Sequence, residues 1–302
     1  MAGIVRNYFC SLFLAAALAP AIAFASSREP DVPPGVDPGG VAVAIIDSGV
    51  NYTLEVVASR LARNGKGEIL GYDFHDNDRL PFDLVPGQRP DSGRHHGTRV
   101  ACIFLREAPK ARLVPYRYRA HSFSTFARIV ETIAESPARI VIMALGGYRK
   151  KDWAYFNVAA KANPNLLFVI SAGNDGRNID ENPVYPSGYR LANALVVAST
   201  DNFGRLPPAS NWGTKTVDVS TPGEGIETVD HKGSKIFVSG SSFAVPRIAA
   251  LAARFQAANP DWKAQDIKKA ILALAGPSPG DSTPRTGYGW IANPALSGPR
   301  AE

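Results

Sequence analysis

The sequence predicts an α/β fold: a doubly wound, mostly parallel sheet with helices on both faces, built as a single domain. Three observations predict it. Strand-like apolar runs alternate with helical patterns along most of the chain, and apolar strands spaced by helices imply a parallel sheet covered on both sides. No repeat, low-complexity tract or second composition regime breaks that alternation. The residues best suited to chemistry fall just beyond the carboxyl ends of the strand-like runs, or at helix starts, where open α/β sheets form their crevices. At 302 residues and 45% hydrophobic content, the chain can bury a large core and is a little long for one average domain, a size that single α/β domains reach.

The amino-terminal 25 residues account for part of that length. Arg6 precedes the apolar run YFCSLFLAAALAPAIAFA, and Ala23-Phe24-Ala25 offers a small-residue cleavage site before Ser26. Residues 1–25 therefore read as a signal peptide, and the protein as exported, periplasmic or secreted. Pro20 and the shortness of the strongest apolar stretch argue against a stable membrane span, so none is expected after cleavage. Residues 26–40, SSREPDVPPGVDPGG, are rich in proline and glycine with almost no apolar periodicity, and read as a linker or loosely attached arm. The folded domain is expected over 41–296, with a tail at 297–302.

Within the domain the expected pairs run in order: VAVAII, then the helical TLEVVASRLAR; RLVPYRY, then STFARIVETIAES; RIVIMAL, then DWAYFNVAAKA; LLFVISA and later ALVVAS as further strands; and a long helix in AVPRIAALAARFQAA. Loss of Cys10 with the signal leaves Cys102 as the sole cysteine, which excludes an intramolecular disulfide and suits a buried small apolar side chain. The formal charge is +6 and the isoelectric point about 9.3, but the basic residues are scattered. Nucleic acid is not an expected partner, because its binding needs a continuous basic face.

The heptapeptide GSSFAVP at 240–246 sets Ser242 between small residues at the opening of the long helix. An isolated serine there is ordinarily a helix cap. Three other segments change that reading. Asp47 ends the run VAVAIID, His96 opens HGTRVACIF, and Asn174 sits in LLFVISAGND. Together they offer a nucleophile, a base, an acid to orient the base, and an oxyanion donor. Each has a plain alternative: aspartate and asparagine are common in turns, and a lone histidine is more often a capping or surface group.

These four segments resemble the subtilisin-like serine proteases, in the family's order, from about Val41 to about Ala295. IIDSGV matches its aspartate motif, HGTRVA its histidine motif, SAGND its oxyanion asparagine motif and GSSFAVP its serine motif; YPSGY, ASNWG, DVSTPG and GYGWIANP are similar to further landmarks. The resemblance implies a serine endopeptidase with Ser242, His96 and Asp47 as triad and Asn174 as oxyanion donor, acting on a protein or peptide substrate without an organic cofactor. It also implies a substrate strand paired along Ala144, Leu145 and Gly146, with Ala172 and Gly173 near the same pocket. Here Ala144 stands where the family usually has serine, Ser241 where threonine is usual and Cys102 where glycine is usual. An esterase or peptide ligase using the same serine, or a non-catalytic binding module of protease fold, are the competing functions.

Calcium supports many family members, and Asp73, Asp76 and Asp78 in DFHDND offer oxygens for a structural ion, with a solvated acidic turn as the alternative. The 21 residues between Ser26 and Asp47 are too few for the folded inhibitory pro-domain that many family members carry. Restraint before export then falls to a separate inhibitor, a folding helper or the export route.

Overall fold

The run AVAIID folds as the strand β1 (Ala42–Asp47), every residue of it buried, in the interior of an eight-stranded sheet. The computed structural model describes residues 29–84, 95–118 and 122–300; the expected signal at 1–25 lies outside them, and so does His121. Beside β1 on one side lie β3 (Arg112–Arg117) and then β2 (Tyr72–Asp73). On the other side come β4 (Ile140–Met143), β5 (Leu167–Ser171), β6 (Ala194–Thr200), β7 (Val219–Pro222) and β10 (Gly289–Trp290). All of these pairings are parallel. A separate antiparallel hairpin joins β8 (Ile226–Val229) to β9 (Lys235–Val238).

The period of two along a strand divides the core between the two faces of the sheet. Val43 and Ile45 of β1 pack with Ile140 and Ile142 of β4 against α2 (His96–Glu107), α5 (Ser241–Ala258) and α6 (Ala264–Leu272). Ala44 and Ile46 pack with Val141 and Met143 against α3 (Thr125–Glu135) and α4 (Ala154–Ala162). This is the doubly wound arrangement that the sequence predicts. Strand order reverses at β1, which has β3 on one flank and β4 on the other, and the crevice of such a sheet opens beyond the carboxyl ends at that reversal.

Two expectations need correction. TLEVVASRLAR gives only the single turn α1 (Glu55–Ala58). The chain then leaves the helix because Ala62 N–H and the Arg60 carbonyl pair with Leu113, at 2.9 and 2.8 Å, extending the edge of β3. A helical continuation would forfeit those bonds and the burial of Leu61 and Ala62. The segment 26–40, expected as a loose arm, is tied down from Glu29 onward. Tyr52 donates to the Pro30 carbonyl, Arg63 to that of Pro33, and Asp37 accepts from the Arg63 backbone and pairs with Arg112. Such an arm needs no periodicity of its own, because side chains from the domain satisfy its carbonyls.

α5 is nearly encased: every residue from Ser241 to Phe255 is buried except Ser242. Pro246 lies within it, and its missing N–H removes the one intrahelical bond that the Ser242 carbonyl would accept. Cys102 is buried, and burial pushes its thiol up to about 12, in keeping with a packing role. No helix of the described residues is long and apolar enough to cross a membrane.

Candidate active site

Asp47 is the last residue of β1 and His96 the first of α2, so sheet and helix face each other end to end. The His96 Nδ1 lies 2.9 Å from both carboxylate oxygens of Asp47. With the carboxylate ionised, Nδ1 carries the proton, which leaves Nε2 as the basic nitrogen. Gly97 makes the approach feasible: a Cβ there would stand 2.1 Å from the Gly49 carbonyl oxygen and 3.0 Å from the Asp47 Cβ. Asp47 is 4% exposed. Burial opposes charge on the His96 ring, but the Asp47 carboxylate outweighs it and holds the imidazolium's pKa above its ordinary 6.5.

Ser242 stands at the second position of α5, with the Phe243 ring 5.6 Å from the His96 ring, centroid to centroid. Its hydroxyl donates to the Ala144 carbonyl at 3.3 Å, so the proton points at the β4 turn and not at the imidazole. Asn174 is exposed just beyond β5, and its Oδ1 accepts from both the backbone N–H and the hydroxyl of Ser241, each at 2.9 Å. An N–H can only donate, so the oxygen half of the amide is fixed toward α5 and the NH2 half turns away from Ser241. Gly240, at φ 127°, lets this happen: a Cβ there would sit 3.1 Å from Asn174 Oδ1.

Several residues that sequence reasoning missed hold this geometry. The Ser241 hydroxyl is 2.7 Å from the Ser171 hydroxyl, which also accepts from Gly173 N–H. Since Ser241 spends its only proton on Asn174, Ser171 donates to Ser241. On the other side, buried Asp83 accepts from the Ser48 hydroxyl at 2.8 Å and from the N–H and hydroxyl of Thr98 at 2.9 and 2.5 Å. Ser48 in turn accepts from Gly97 N–H at 3.0 Å. The turn after Asp47 and the first turn of α2 are thereby stitched through one carboxylate. Ser48 and Thr98 carried a signal, as polar neighbours of Asp47 and His96; Asp83 carried none.

The Ser241 relay predicts a graded response. Ser241→Ala deletes one of two bonds that aim Asn174, worth about 1 kcal/mol for a neutral pair, or about five-fold in kcat with KM little changed. Ser241→Thr keeps the hydroxyl and should keep the rate. Steady-state kinetics that found the two variants alike would rule out the relay.

Of the residues expected along the substrate strand, Ala144 presents its carbonyl to Ser242, and Leu145 and Gly146 follow it toward solvent. Gly147 closes that edge, because its N–H and carbonyl both pair with Tyr185, at 2.8 and 2.7 Å. Ala172 and Gly173 are engaged internally: Asn211 donates to the Ala172 carbonyl from its side chain and to the Gly173 carbonyl from its backbone. Their place is the wall beneath Asn174.

Two clusters merit a test as metal centres. Glu29, Asp73 and Asp78 converge, but Arg117 is lodged against that cluster, its Nη1 at 2.6, 2.7 and 2.9 Å from Glu29, Asp73 and Asp76. A calcium ion would have to displace a buried guanidinium, so these residues as arranged do not fit one. Burial, reinforced by the neighbouring aspartates, pushes Glu29 up to about 7 against the pull of Arg117. Asp83, His95 and His231 also approach one another. There the imidazoles stack face to face at 3.7 Å and Asp83 spends both oxygens on Ser48 and Thr98, an arrangement of packing and hydrogen bonding.

The chain is similar to known proteins over most of its length. The model of the subtilase family matches residues 39–290. The chain is 32% identical over 228 residues to the thermophilic serine proteinase of Bacillus sp. (strain AK1), covering 71% of this chain but only 51% of that protein. With thermitase of Thermoactinomyces vulgaris it shares 29% identity over 258 residues, 81% of this chain and 84% of the other. Thus it spans about half the length of the first relative and most of the second. Among solved structures, a cold-adapted subtilisin-like serine proteinase superposes with a TM-score of 0.69 at 24% identity, over 87% of this chain and 92% of that one, a likeness of fold.

Proposed function

We propose that this chain, which belongs to the subtilase family, hydrolyses internal peptide bonds of protein or peptide substrates through an acyl-enzyme on Ser242. Its relatives include a thermophilic serine proteinase and thermitase, and it shares the fold of a subtilisin-like serine proteinase. One observation carries the residue assignment: a buried carboxylate grips His96 Nδ1 through both oxygens, and the ring lies 5.6 Å from that of Phe243, the neighbour in sequence of Ser242, which is the one unburied residue along Ser241–Phe255.

In the proposed sequence the Ser242 hydroxyl rotates from the Ala144 carbonyl to His96 Nε2, which takes its proton as the oxygen attacks the substrate carbonyl. Asp47 keeps the proton on Nδ1 and stabilises the imidazolium without accepting that proton. The oxyanion then meets the Ser242 backbone N–H, at a helix start where N–H groups lack intrahelical partners, and the Asn174 NH2. Imidazolium returns the proton to the leaving amine, and water repeats the cycle on the ester. Substrate pairs as an added strand with the backbone of Ala144 to Gly146. The same reading takes the protein to be exported, on the strength of the signal-like residues 1–25.

Labelling with a fluorophosphonate probe tests the assignment together with mass spectrometry of peptide products. Wild type should be labelled on one serine and release internal fragments; label surviving in Ser242→Ala would sink it. Because His96 must be neutral to accept a proton and its pKa is held above 6.5, kcat/KM should rise through one ionisation above that value. Activity should then hold into mildly alkaline pH. Measured on one peptide, with stability checked at each pH, an acid optimum contradicts the role of His96.

A further inference from the structure

At the far end of the sheet from Ser242, the amino-terminal start of β1, the end of α2 and the last turns of α5 line an open cavity of about 960 Å³. It lies about 18 Å along α5 from the candidate active site, counted from Ser242 to Arg254 at the rise of a helix. Its floor is small and aliphatic, made by Val41, Ala108, Ala253 and Ala257, and no described lining residue is aromatic or acidic. Five cations line it: Lys110, Arg112, Arg139, Arg254 and Arg300.

Only Arg112 has a carboxylate partner among the described residues, Asp37. Arg254 is buried and its guanidinium is held entirely by backbone carbonyls, those of Glu107, Pro294, Ser297 and Pro299. Arg139 likewise donates to the carbonyls of Ser136 and Ala138. Carbonyls satisfy the N–H groups, and the Glu107 carboxylate acts on Arg254 without a hydrogen bond to it, which leaves Lys110, Arg139 and Arg300 as exposed cations around one concave surface.

We propose that this cavity binds a single-chain aliphatic carboxylate, its tail on the alanine floor and its head among Lys110, Arg139, Arg254 and Arg300. The volume is within the range of small-molecule sites, which are mostly apolar with a few charged groups that fix orientation. A bare inorganic anion would leave the apolar floor uncovered. Nucleic acid would find no ring to stack on.

Calorimetric titration with sodium dodecanoate below its micellar concentration tests this, and needs no turnover. One dodecanoate per chain is expected, bound at least ten-fold more tightly than dodecanol, with no saturable binding of acetate. Two variants place the site on exposed positions that leave the fold alone. Lys110→Glu combined with Arg139→Glu should weaken dodecanoate at least ten-fold, and Ala257→Trp should do the same by filling the floor, both with peptide hydrolysis unchanged. The proposal is overturned if dodecanol binds as well as dodecanoate, if either variant binds like wild type, or if dodecanoate does not saturate. Binding of hexaglutamate as tight as that of dodecanoate would also overturn it, since the site would then read charge without a tail.

Discussion

Ser242→Ala should reduce kcat by about 10⁶, and adding His96→Ala to it should cost almost nothing more. That size is the one found for subtilisin itself, and is borrowed from it. The non-additivity follows from the proposed roles. His96 Nε2 has a purpose only while a hydroxyl stands before it, and Asp47 acts only through the Nδ1 it grips at 2.9 Å. Asp47→Ala alone should fall somewhat short of the others, on the order of 10⁴ to 10⁵, because an unoriented imidazole still takes a proton part of the time. Single-turnover kinetics on all three single variants and the Ser242/His96 double variant check this. A double variant at the product of the two single losses would mean that the residues act independently, against a triad.

Asn174→Ala is expected to lower kcat by 10² to 10³, again a magnitude taken from subtilisin's own oxyanion asparagine, with KM nearly unchanged. The amide contributes where negative charge exists only at the transition state, so ground-state binding barely registers its loss. The structure adds a reason why the residue is hard to replace. Oδ1 is committed to Ser241, so orientation and donation come from the two ends of one rigid group. A rise in KM with kcat intact would make Asn174 a substrate-binding residue and end its assignment as oxyanion donor.

The strands β1, β3, β4, β5 and β6 were legible because they are buried along nearly their whole length and therefore carry largely apolar runs. By contrast, β7 is the buried sequence VSTP, and β2 and β10 are two residues each, too short for any periodicity to accumulate. The hairpin of β8 and β9 exposes Glu227, Lys235 and Phe237, and its register depends on a partner strand. α1 failed for the same cause: TLEVVASRLAR has helical spacing, but the edge of β3 competes for its backbone. In the site, Asp47, His96, Asn174 and Ser242 stood out through local motifs. Asp83 did not, since it lies thirteen positions before His96 in the sequence and nothing nearby marks a carboxylate that will bond Ser48 and Thr98. The paired state of the Ala172 and Gly173 backbone was equally hidden, because it depends on Asn211, far along the chain.

Arg117 changes what kind of variable the arm's attachment answers to. A cation carried on a side chain has a local concentration fixed by covalent bonds, so neither dilution nor a chelator can remove it from Glu29, Asp73 and Asp76. What can change is the charge of the carboxylates around it, and Glu29, held near 7, is the member poised to respond. The clasp that fastens residues 29–40 to the domain is therefore coupled to the proton activity of its surroundings, where an ion-held clasp would be coupled to the supply of the ion.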